Sequence, residues 1–275
     1  LIDKVTRFED EHKHPMNIDS MTADDLRVFA DFLSSDYDIS MNTIVTNMTL
    51  MRTVCNWVRK QGVTNNDPFF GYDMPKALYG TPYFLTIQER DQVLDADLTD
   101  DAELAEYRDM FVFQCMVGCR HSDLVTFTPK NIIDGVLEYI PIKTKGKLGD
   151  VVRVPLIPKA MAILDGHDHG DDEPIFPKHY NFKFNDAIRR ILKRAKVNRV
   201  VTVINPKTRL EEKKPISDVA TSHLARRTFI GNLYRMVKDP DLVASMSGHA
   251  KGSVAFARYR VIDDDMKKSL VELIQ

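Results

Sequence analysis

Apolar residues recur at intervals of three and four positions along most of the chain, a pattern that predicts amphipathic helices. The first clear helix is predicted over residues 22–35, with Thr22 as its amino-terminal cap. A longer helix is predicted over residues 40–61, ending at Gly62. Its buried stripe should consist of Ile44, Met48, Met51, Val54, Cys55 and Val58. Its polar face, equally suited to phosphate or to water, carries Asn42, Thr43, Thr46, Asn47, Thr49, Arg52 and Arg59.

Residues 65–84 break this periodicity because they are rich in proline, glycine, asparagine and aromatic residues. A change of this kind is typical of a domain boundary. We therefore predict a helical amino-terminal domain over residues 1–75, a linker over residues 76–84 and a second domain over residues 85–275.

The second domain is predicted to be mostly helical with a small sheet. Thr86 and Glu89 have the spacing of a capping box. Further helices are expected over residues 104–117, 180–197, 222–237, 241–247 and 263–274. Residues 135–156 alternate apolar and polar positions around a turn rich in lysine and glycine, which predicts a β-hairpin. The predicted fold class is mainly α with a small β-sheet (α+β).

Composition narrows the class of protein. The 275 residues are 43% hydrophobic and 28% charged, which is typical of a folded protein. No apolar run approaches the length of a bilayer-spanning helix, and residues 1–11 are too charged for a signal peptide. Three cysteines without paired spacing support neither disulfides nor a zinc site and fit a reducing compartment. Because the chain starts without methionine, we expect it to be a fragment of a longer protein, with room for an upstream domain.

Charge is strongly segregated although the net charge is only −2. Residues 1–73 contain 7 basic and 12 acidic side chains, whereas residues 183–260 contain 18 basic and 6 acidic ones. Such segregation favours nucleic acid as the partner over chance clustering on exposed helix faces. The acidic stretches at residues 95–106 and 165–173 are expected to be loops that face away from phosphate.

Several kinds of chemistry lack sequence support. The chain contains no glycine-rich phosphate loop, no dinucleotide fingerprint and no Gly-x-Ser-x-Gly motif. We therefore expect no nucleotide cofactor. One stretch could suggest a metal site, formed by Asp165, His167, Asp168, His169, Asp171 and Asp172. Its short spacing around two glycines favours an acidic loop, so we expect no metal.

Four short features place a cation or a proton donor where a helix begins or a strand turns. They are Arg120 with Asp123 in GCRHSDL, the lysines of residues 143–147, His223 with Arg226 in SHLARR, and His249 in SGH followed by Tyr259 in FARYR. Each alone has an ordinary structural explanation, such as an arginine that caps a helix or a histidine in the core. Their order and spacing are what make them informative.

Together these features resemble the tyrosine recombinase family, also called phage integrases, over residues 85–275. The family pattern is Arg, Lys, His-x-x-Arg, His or Trp, and a tyrosine nucleophile near the carboxyl terminus. The helical amino-terminal domain resembles the family's SAM-like core-binding domain in position and size. The stretches SHLARRTF, MSGH and AFARYR are most similar to integrases of Bacteroidetes conjugative transposons.

The resemblance implies a catalytic set of Arg120, Lys143, His223, Arg226, His249 and Tyr259, with Asp123 in support. Within it, the two arginines would clamp the scissile phosphate with His249 as a third donor. Tyr259 would form a 3′-phosphotyrosine, His223 would act as general base, and a lysine would protonate the leaving 5′-oxygen. The resemblance also implies a metal- and ATP-independent enzyme in the bacterial cytoplasm, associated with the nucleoid.

Two positions depart from the common family pattern. The turn after Lys143 is longer than usual, so the catalytic lysine could be Lys143, Lys145 or Lys147, and we favour Lys143. Arg227 stands where many members have histidine, and a phosphate contact suits it. The DNA-binding residues expected besides the catalytic set are Arg52, Arg59, Lys60, Lys145, Arg227 and Arg258.

The leading hypothesis is a site-specific DNA recombinase that acts through a Holliday junction as a homotetramer on double-stranded DNA, with accessory or excision factors as further partners. One alternative is a type IB topoisomerase-like enzyme, against which the small first domain argues. Another is a catalytically silent DNA-binding accessory factor, which would require the loss of a catalytic residue. The target sequence and the direction of recombination cannot be read from the chain.

Overall fold

A computed structural model describes residues 1–37, 39–144, 151–167, 170–177, 181–237, 239–249 and 271–272. Within these residues the chain is mostly α-helical with two small sheets, which confirms the predicted fold class. It divides into two compact units. Unit 1 contains residues 1–80 and 203–212, and unit 2 contains the described residues of 81–202 and 213–275. In the part of the chain covered by these coordinates, no helix is long and apolar enough to cross a membrane.

Unit 1 is built from helices α1 (Ile2–His12), α2 (Ala23–Ser35) and α3 (Met41–Lys60). Thr22 and Asp25 form a capping box that satisfies free amide groups at the start of α2. The core of unit 1 includes Phe8, Leu26, Phe29, Phe32, Leu33, Ile44 and Met48. Burial of each large apolar side chain stabilises the unit by about 1.5–3 kcal/mol.

The predicted faces of α3 are wrong at two positions. Val54 was expected in the buried stripe, but it is 43% exposed. Asn47 was expected on the polar face, but it is buried and its side-chain amide donates to the carbonyl of Thr43 at 2.7 Å. A local bond of this kind lets an amide occupy an apolar face, because its polar atoms do not have to reach water.

Unit 2 contains the remaining helices. They are α4 (Ile87–Leu94), α5 (Ala102–Val117), α6 (His121–Leu124), α7 (Pro158–Asp165), α8 (Asn181–Arg194), α9 (Ile216–Val219), α10 (Ser222–Val237) and α11 (Pro240–Ser247). The carboxyl-terminal half of α5, residues 110–117, is buried all round, and the helix packs against α4, α8 and α10. A helix that is apolar all round belongs at the centre of a domain. The capping box of Thr86 and Glu89 is present at the start of α4.

The main sheet is antiparallel, in the order β1 (Ile132–Ile133), β2 (Val136–Tyr139) and β3 (Val152–Pro155). Leu137 lies opposite Val154, and Tyr139 lies opposite Val152. The predicted hairpin is therefore confirmed, and the short β1 is an additional strand. A second sheet, formed by β4 (Val200–Ile204) and β5 (Glu211–Pro215), was not predicted.

The acidic stretch at residues 95–106 does not behave as predicted. It is not all loop, since α5 begins at Ala102 with Asp101 as its cap. Two of its carboxylates also pair with basic residues of α8. Asp101 pairs with Arg190 at 2.7 Å, and Asp100 pairs with Arg194. The basic excess is thus partly neutralised by pairs, although ion pairs at the surface contribute little to stability.

Candidate active site

The loop that follows α5 is shaped by Gly118 and Gln114. Gly118 has a positive φ of 68°, which favours glycine, and a side chain there would clash with the ring of Phe229. Gln114 is 1% exposed, and its side-chain amide donates to the carbonyl of Cys119 at 3.0 Å. These contacts hold the backbone that presents Arg120.

Arg120 and Asp123 lie at the start of α6. The guanidinium Nη1 is 3.9 Å from Oδ2 of the buried carboxylate. The other carboxylate oxygen accepts from the backbone N–H of Ile142 at 2.9 Å. Asp123 therefore ties the loop of Arg120 to the segment that follows β2. Lys143 comes next along that segment, in a 3-10 turn (Ile142–Thr144) rather than at the end of a strand.

Arg226 lies on α10 and is 2% exposed. Its Nη1 donates to the carbonyl of Gly118 at 2.7 Å, and its Nη2 lies 3.0 Å from Nδ1 of His249. A buried guanidinium is stable only with such partners, because removal of an unpaired charge from water is costly. Arg226 thus joins α10, the loop after α5 and the residues after α11.

His249 follows the end of α11. Gly248 closes that helix with a φ of 63°, and a side chain there would meet Val152 at 2.9 Å. The buried hydroxyl of Ser247 lies 2.9 Å from Nδ1 of His249. Burial, followed by the charges of Arg226 and Arg120, lowers the pKa of His249 to about 3. The imidazole is therefore neutral at neutral pH.

His223 lies in the first turn of α10 with an exposed edge. The cations that act on it are Arg227, Arg226, Arg120 and Lys143. Partial removal from water, together with these charges, lowers the pKa of His223 to about 4. The imidazole is neutral at neutral pH and able to accept a proton. Because Lys143 is among these cations, the turn after β2 belongs to the same site.

The other expected residues lie beside this site, in unit 1, or outside the described residues. The guanidinium of Arg227 lies over the ring of Tyr83, with Cζ 5.2 Å from its centroid. Arg52, Arg59 and Lys60 are exposed on α3 in unit 1, and Arg59 pairs with Asp67. Four expected site residues fall outside the described residues, namely Lys145, Lys147, Arg258 and Tyr259.

Sequence reasoning missed several supporting residues. Gln114 is a polar residue inside an apolar helix, and this exception to the pattern is a signal that could have indicated a structural bond. Ser247 adjoins His249, but nothing in its local pattern shows that it hydrogen-bonds that imidazole. Tyr83 lies in the segment that the sequence predicts as linker, where no motif marks it.

The arrangement suits recognition of an anion. Two guanidinium groups, a lysine and two neutral imidazoles come from four segments of unit 2, and the carboxylate of Asp123 lies beside Arg120. Such a set can neutralise a phosphate and move a proton near it. Across the described residues, no group of three or more His, Cys, Asp or Glu side chains is placed to hold a metal ion. The three cysteines are buried, and burial raises the pKa of Cys119, which disfavours a thiolate nucleophile.

Comparison with known proteins places this site in a family. The family model described as "Phage integrase family" matches residues 83–266, more than half of the chain. The chain therefore belongs to the phage integrase family, whose members are also called tyrosine recombinases. No curated protein matches the chain by sequence.

Solved structures share the fold at low identity. The Tn1549 transposon integrase in complex with a circular intermediate DNA is 16% identical, with a TM-score of 0.70 and coverage of 98% of this chain and 91% of that one. A lambda integrase dimer bound to a core site is 13% identical, with a TM-score of 0.65 and coverage of 96% and 88%. XerH recombinase bound to its difH substrate is 14% identical, with a TM-score of 0.62 and coverage of 99% and 77%.

Proposed function

We propose that the protein is a site-specific DNA recombinase of a mobile genetic element, which exchanges strands through a 3′-phosphotyrosine and a Holliday junction. Its family consists of enzymes that cut and rejoin DNA. The observation that carries the proposal is the placement of buried Arg226, which bonds to the loop of Arg120 and contacts His249. This placement supports a single phosphate-binding site.

The two arginines suit the non-bridging oxygens of the scissile phosphate. A phosphodiester gathers negative charge on these oxygens as it passes through a pentacoordinate state. Planar guanidinium groups donate paired hydrogen bonds to them, and Arg226 is already held in place before DNA binds. His249, as a neutral imidazole, supplies a further N–H donor.

The proposed reaction removes a proton from the attacking oxygen and delivers another proton to the leaving oxygen. Tyr259 attacks the phosphorus and gives its proton to neutral His223, while Lys143 protonates the leaving 5′-oxygen. The bond between phosphorus and the tyrosine oxygen forms as the bond to the 5′-oxygen breaks. The ester conserves the energy of the broken phosphodiester, so that rejoining by a 5′-hydroxyl requires no ATP.

The wider biology is also part of the proposal. The Tn1549, lambda and XerH proteins were solved with DNA, which supports recombination sites in double-stranded DNA as the substrate. We propose that four protomers assemble on two such sites. The stretches SHLARRTF, MSGH and AFARYR support an origin in a Bacteroidetes conjugative transposon.

A comparison of arginine variants tests the site. Duplexes that carry candidate element junctions are incubated with protein in EDTA without ATP, and DNA binding and strand cleavage are measured separately. We expect Arg120→Lys and Arg226→Lys to retain binding and to lose cleavage by about 100-fold or more, because lysine cannot donate paired hydrogen bonds.

Arg108→Lys is the matched control. The Arg108 side chain is 21% exposed against 23% for Arg120, and it also pairs with a neighbouring aspartate. We expect this variant to cleave like the parent protein. Equal cleavage by Arg120→Lys, Arg226→Lys and the parent would contradict the proposed site.

A further inference from the structure

The short segment of residues 83–85, here called the strap, runs along α10. The backbone N–H of Leu85 donates to Oγ1 of Thr228 at 3.1 Å, and the side-chain amide of Asn232 donates to the carbonyl of Leu85 at 2.9 Å. Both partners on α10 are thus fixed to the strap one turn apart. The strap and α10 therefore form a connected layer beside the catalytic residues.

Phe84, the middle residue of the strap, packs closely against α10. The ring of Phe84 lies over Gly231, where an added side-chain carbon would be 2.7 Å from the ring. Arg235 places its Cζ 4.9 Å from the centroid of the same ring. The close approach of the Phe84 ring requires glycine at position 231, which fixes where the strap packs on α10.

Tyr83 begins the strap and faces the first turns of α10. Its hydroxyl donates to the carbonyl of Val219 at 2.9 Å, just before α10 starts. Its ring lies under the guanidinium of Arg227, with 5.2 Å between Cζ and the centroid. Burial raises the pKa of Tyr83, and the charge of Arg227 opposes this rise, as expected for a phenol close to a guanidinium. Arg227 lies one helical turn from His223.

We propose that Tyr83 is a positioning residue of the active site, which holds the guanidinium of Arg227 beside His223. An arginine that stacks on an aromatic ring loses conformational freedom, and the ring attracts its charge. The hydroxyl bond to Val219 fixes the ring in turn. Arg227 thereby becomes part of the electrostatic environment of the active site.

The charges around His223 explain why this placement matters. They come from Arg226 and Arg227 on α10, Arg120 before α6 and Lys143 after β2, while the neutral imidazole of His249 lies nearby. After partial burial, Arg227 has the largest effect among these groups in lowering the pKa of His223. A nearby fixed guanidinium disfavours the protonated imidazole, so that His223 stays neutral to a lower pH. The role of Tyr83 in catalysis rests on the proposed function, whereas the placement of the Arg227 guanidinium beside His223 does not.

Histidine titration by NMR tests the placement on the full chain without DNA. Imidazole signals of protein labelled with ¹⁵N are followed against pH, and the signal of His223 is assigned by its loss in His223→Gln. We expect Arg227→Gln to raise the pKa of His223 by about half a unit or more, because a nearby charge is removed. Tyr83→Leu should also raise the pKa of His223, since the guanidinium of Arg227 no longer has an aromatic ring to pack on.

Two controls separate this role from a structural one. Tyr83→Phe keeps the ring, and Arg235→Gln removes a guanidinium from the next aromatic residue of the strap, two turns further from His223. Arg235→Gln should leave the pKa of His223 within about 0.2 units of the parent value, and Tyr83→Phe should raise it less than Tyr83→Leu does, because the ring remains after the bond to Val219 is lost. If Tyr83→Leu does not fold, as judged by circular dichroism, Tyr83→Met provides a flexible apolar replacement of similar length.

An unchanged pKa of His223 in Arg227→Gln would overturn the proposal. So would a raised pKa in Arg227→Gln with no change in Tyr83→Leu or Tyr83→Met, because Tyr83 would then not hold the guanidinium. Neither result depends on DNA cleavage. Failure of the recombinase proposal would instead appear as absent cleavage in the assay with candidate junctions.

Discussion

At the scale of single residues, the site combines clustered cations with neutral imidazoles. Arg226 is almost fully buried, and removal from water together with the nearby charges lowers the pKa values of His249 and His223. This arrangement is unfavourable for the isolated protein, because like charges are held close together. It becomes favourable when an anion binds among them, as a DNA phosphate does.

His249 should make the fold sensitive to acid. Its pKa is about 3 in the folded protein and about 6.5 in the unfolded chain, so that only the unfolded chain takes up a proton between these values. Stability is therefore lost as the pH falls below 6.5. We expect this residue to contribute a loss of up to about 2 kcal/mol between pH 7 and pH 5.

Urea denaturation at pH 7 and at pH 5 measures this effect. The parent protein should lose more stability than His249→Asn, which cannot take up the proton. An equal loss in both proteins would show that His249 does not couple protonation to folding.

At the scale of elements, the carboxyl end of α5 decides where Arg120 points. Gly118 turns the chain with a positive φ, and its carbonyl receives Arg226. The close ring of Phe229 leaves no room for a side chain. The end of one buried helix thus sets the position of both proposed phosphate-binding arginines.

Gly118→Ala should be strongly destabilising. Alanine at a positive φ costs about 1–2 kcal/mol, and the clash with Phe229 adds about 1–3 kcal/mol. Gly135→Ala is the matched control, because Gly135 has a φ of 73° and no atom within 4 Å of an added side-chain carbon. Thermal or urea unfolding of both variants measures the difference.

We expect Gly135→Ala to show only the backbone cost, and Gly118→Ala to lose both stability and DNA cleavage. Equal destabilisation by the two substitutions would mean that the contact with Phe229 does not constrain the loop of Arg120.

Most elements that carry the site could be predicted from the sequence. The boundaries of α10 agree with the prediction, and the hairpin is present, because periodicity and alternation are strong in those segments. The second sheet was missed because Glu211–Pro215 is charged and ends in proline, which is unusual for a strand. Val54 and Asn47 were misplaced because the spacing of residues does not show which face of α3 meets the core.

The site itself was only partly predictable. Arg120, His223, Arg226 and His249 were expected together, and the structure brings them into one region of unit 2. The contacts that hold them could not be read from local patterns, since Tyr83 and Gln114 act through partners distant along the chain or through bonds to backbone. The assignment of catalytic roles stays a prediction.

At the scale of the whole molecule, sequence order and spatial order differ. Residues 203–212 belong to unit 1, although the chain on both sides of them belongs to unit 2. Within unit 1, the N–H of Met41 donates to the carbonyl of Pro206 at 3.3 Å, and Arg209 donates to the carbonyl of Lys76 at 3.1 Å. Unit 1 is therefore completed by a segment that lies more than 120 residues further along the chain than Gly80.

The distribution of charged side chains in the fold also differs from what their distribution along the sequence indicates. Part of the basic excess in residues 183–260 is consumed by pairs with acidic residues of the same unit, such as Lys193 with Asp218 at 2.8 Å. The cations around His223 are different, because several of them act on the same imidazole. Proximity in the fold, and not the total charge of a segment, marks the phosphate-binding region.

The central claim is that the chain breaks DNA by forming an ester through Tyr259, and the position of that ester tests it most directly. Nicked duplexes that carry candidate element junctions are incubated with the protein without metal or ATP, and adducts that survive SDS are digested and mapped by mass spectrometry. We expect the DNA to be linked to Tyr259, and Tyr259→Phe to bind DNA without forming an adduct, while Tyr234→Phe forms it normally. An adduct on another residue, or one that persists in Tyr259→Phe, would contradict the account.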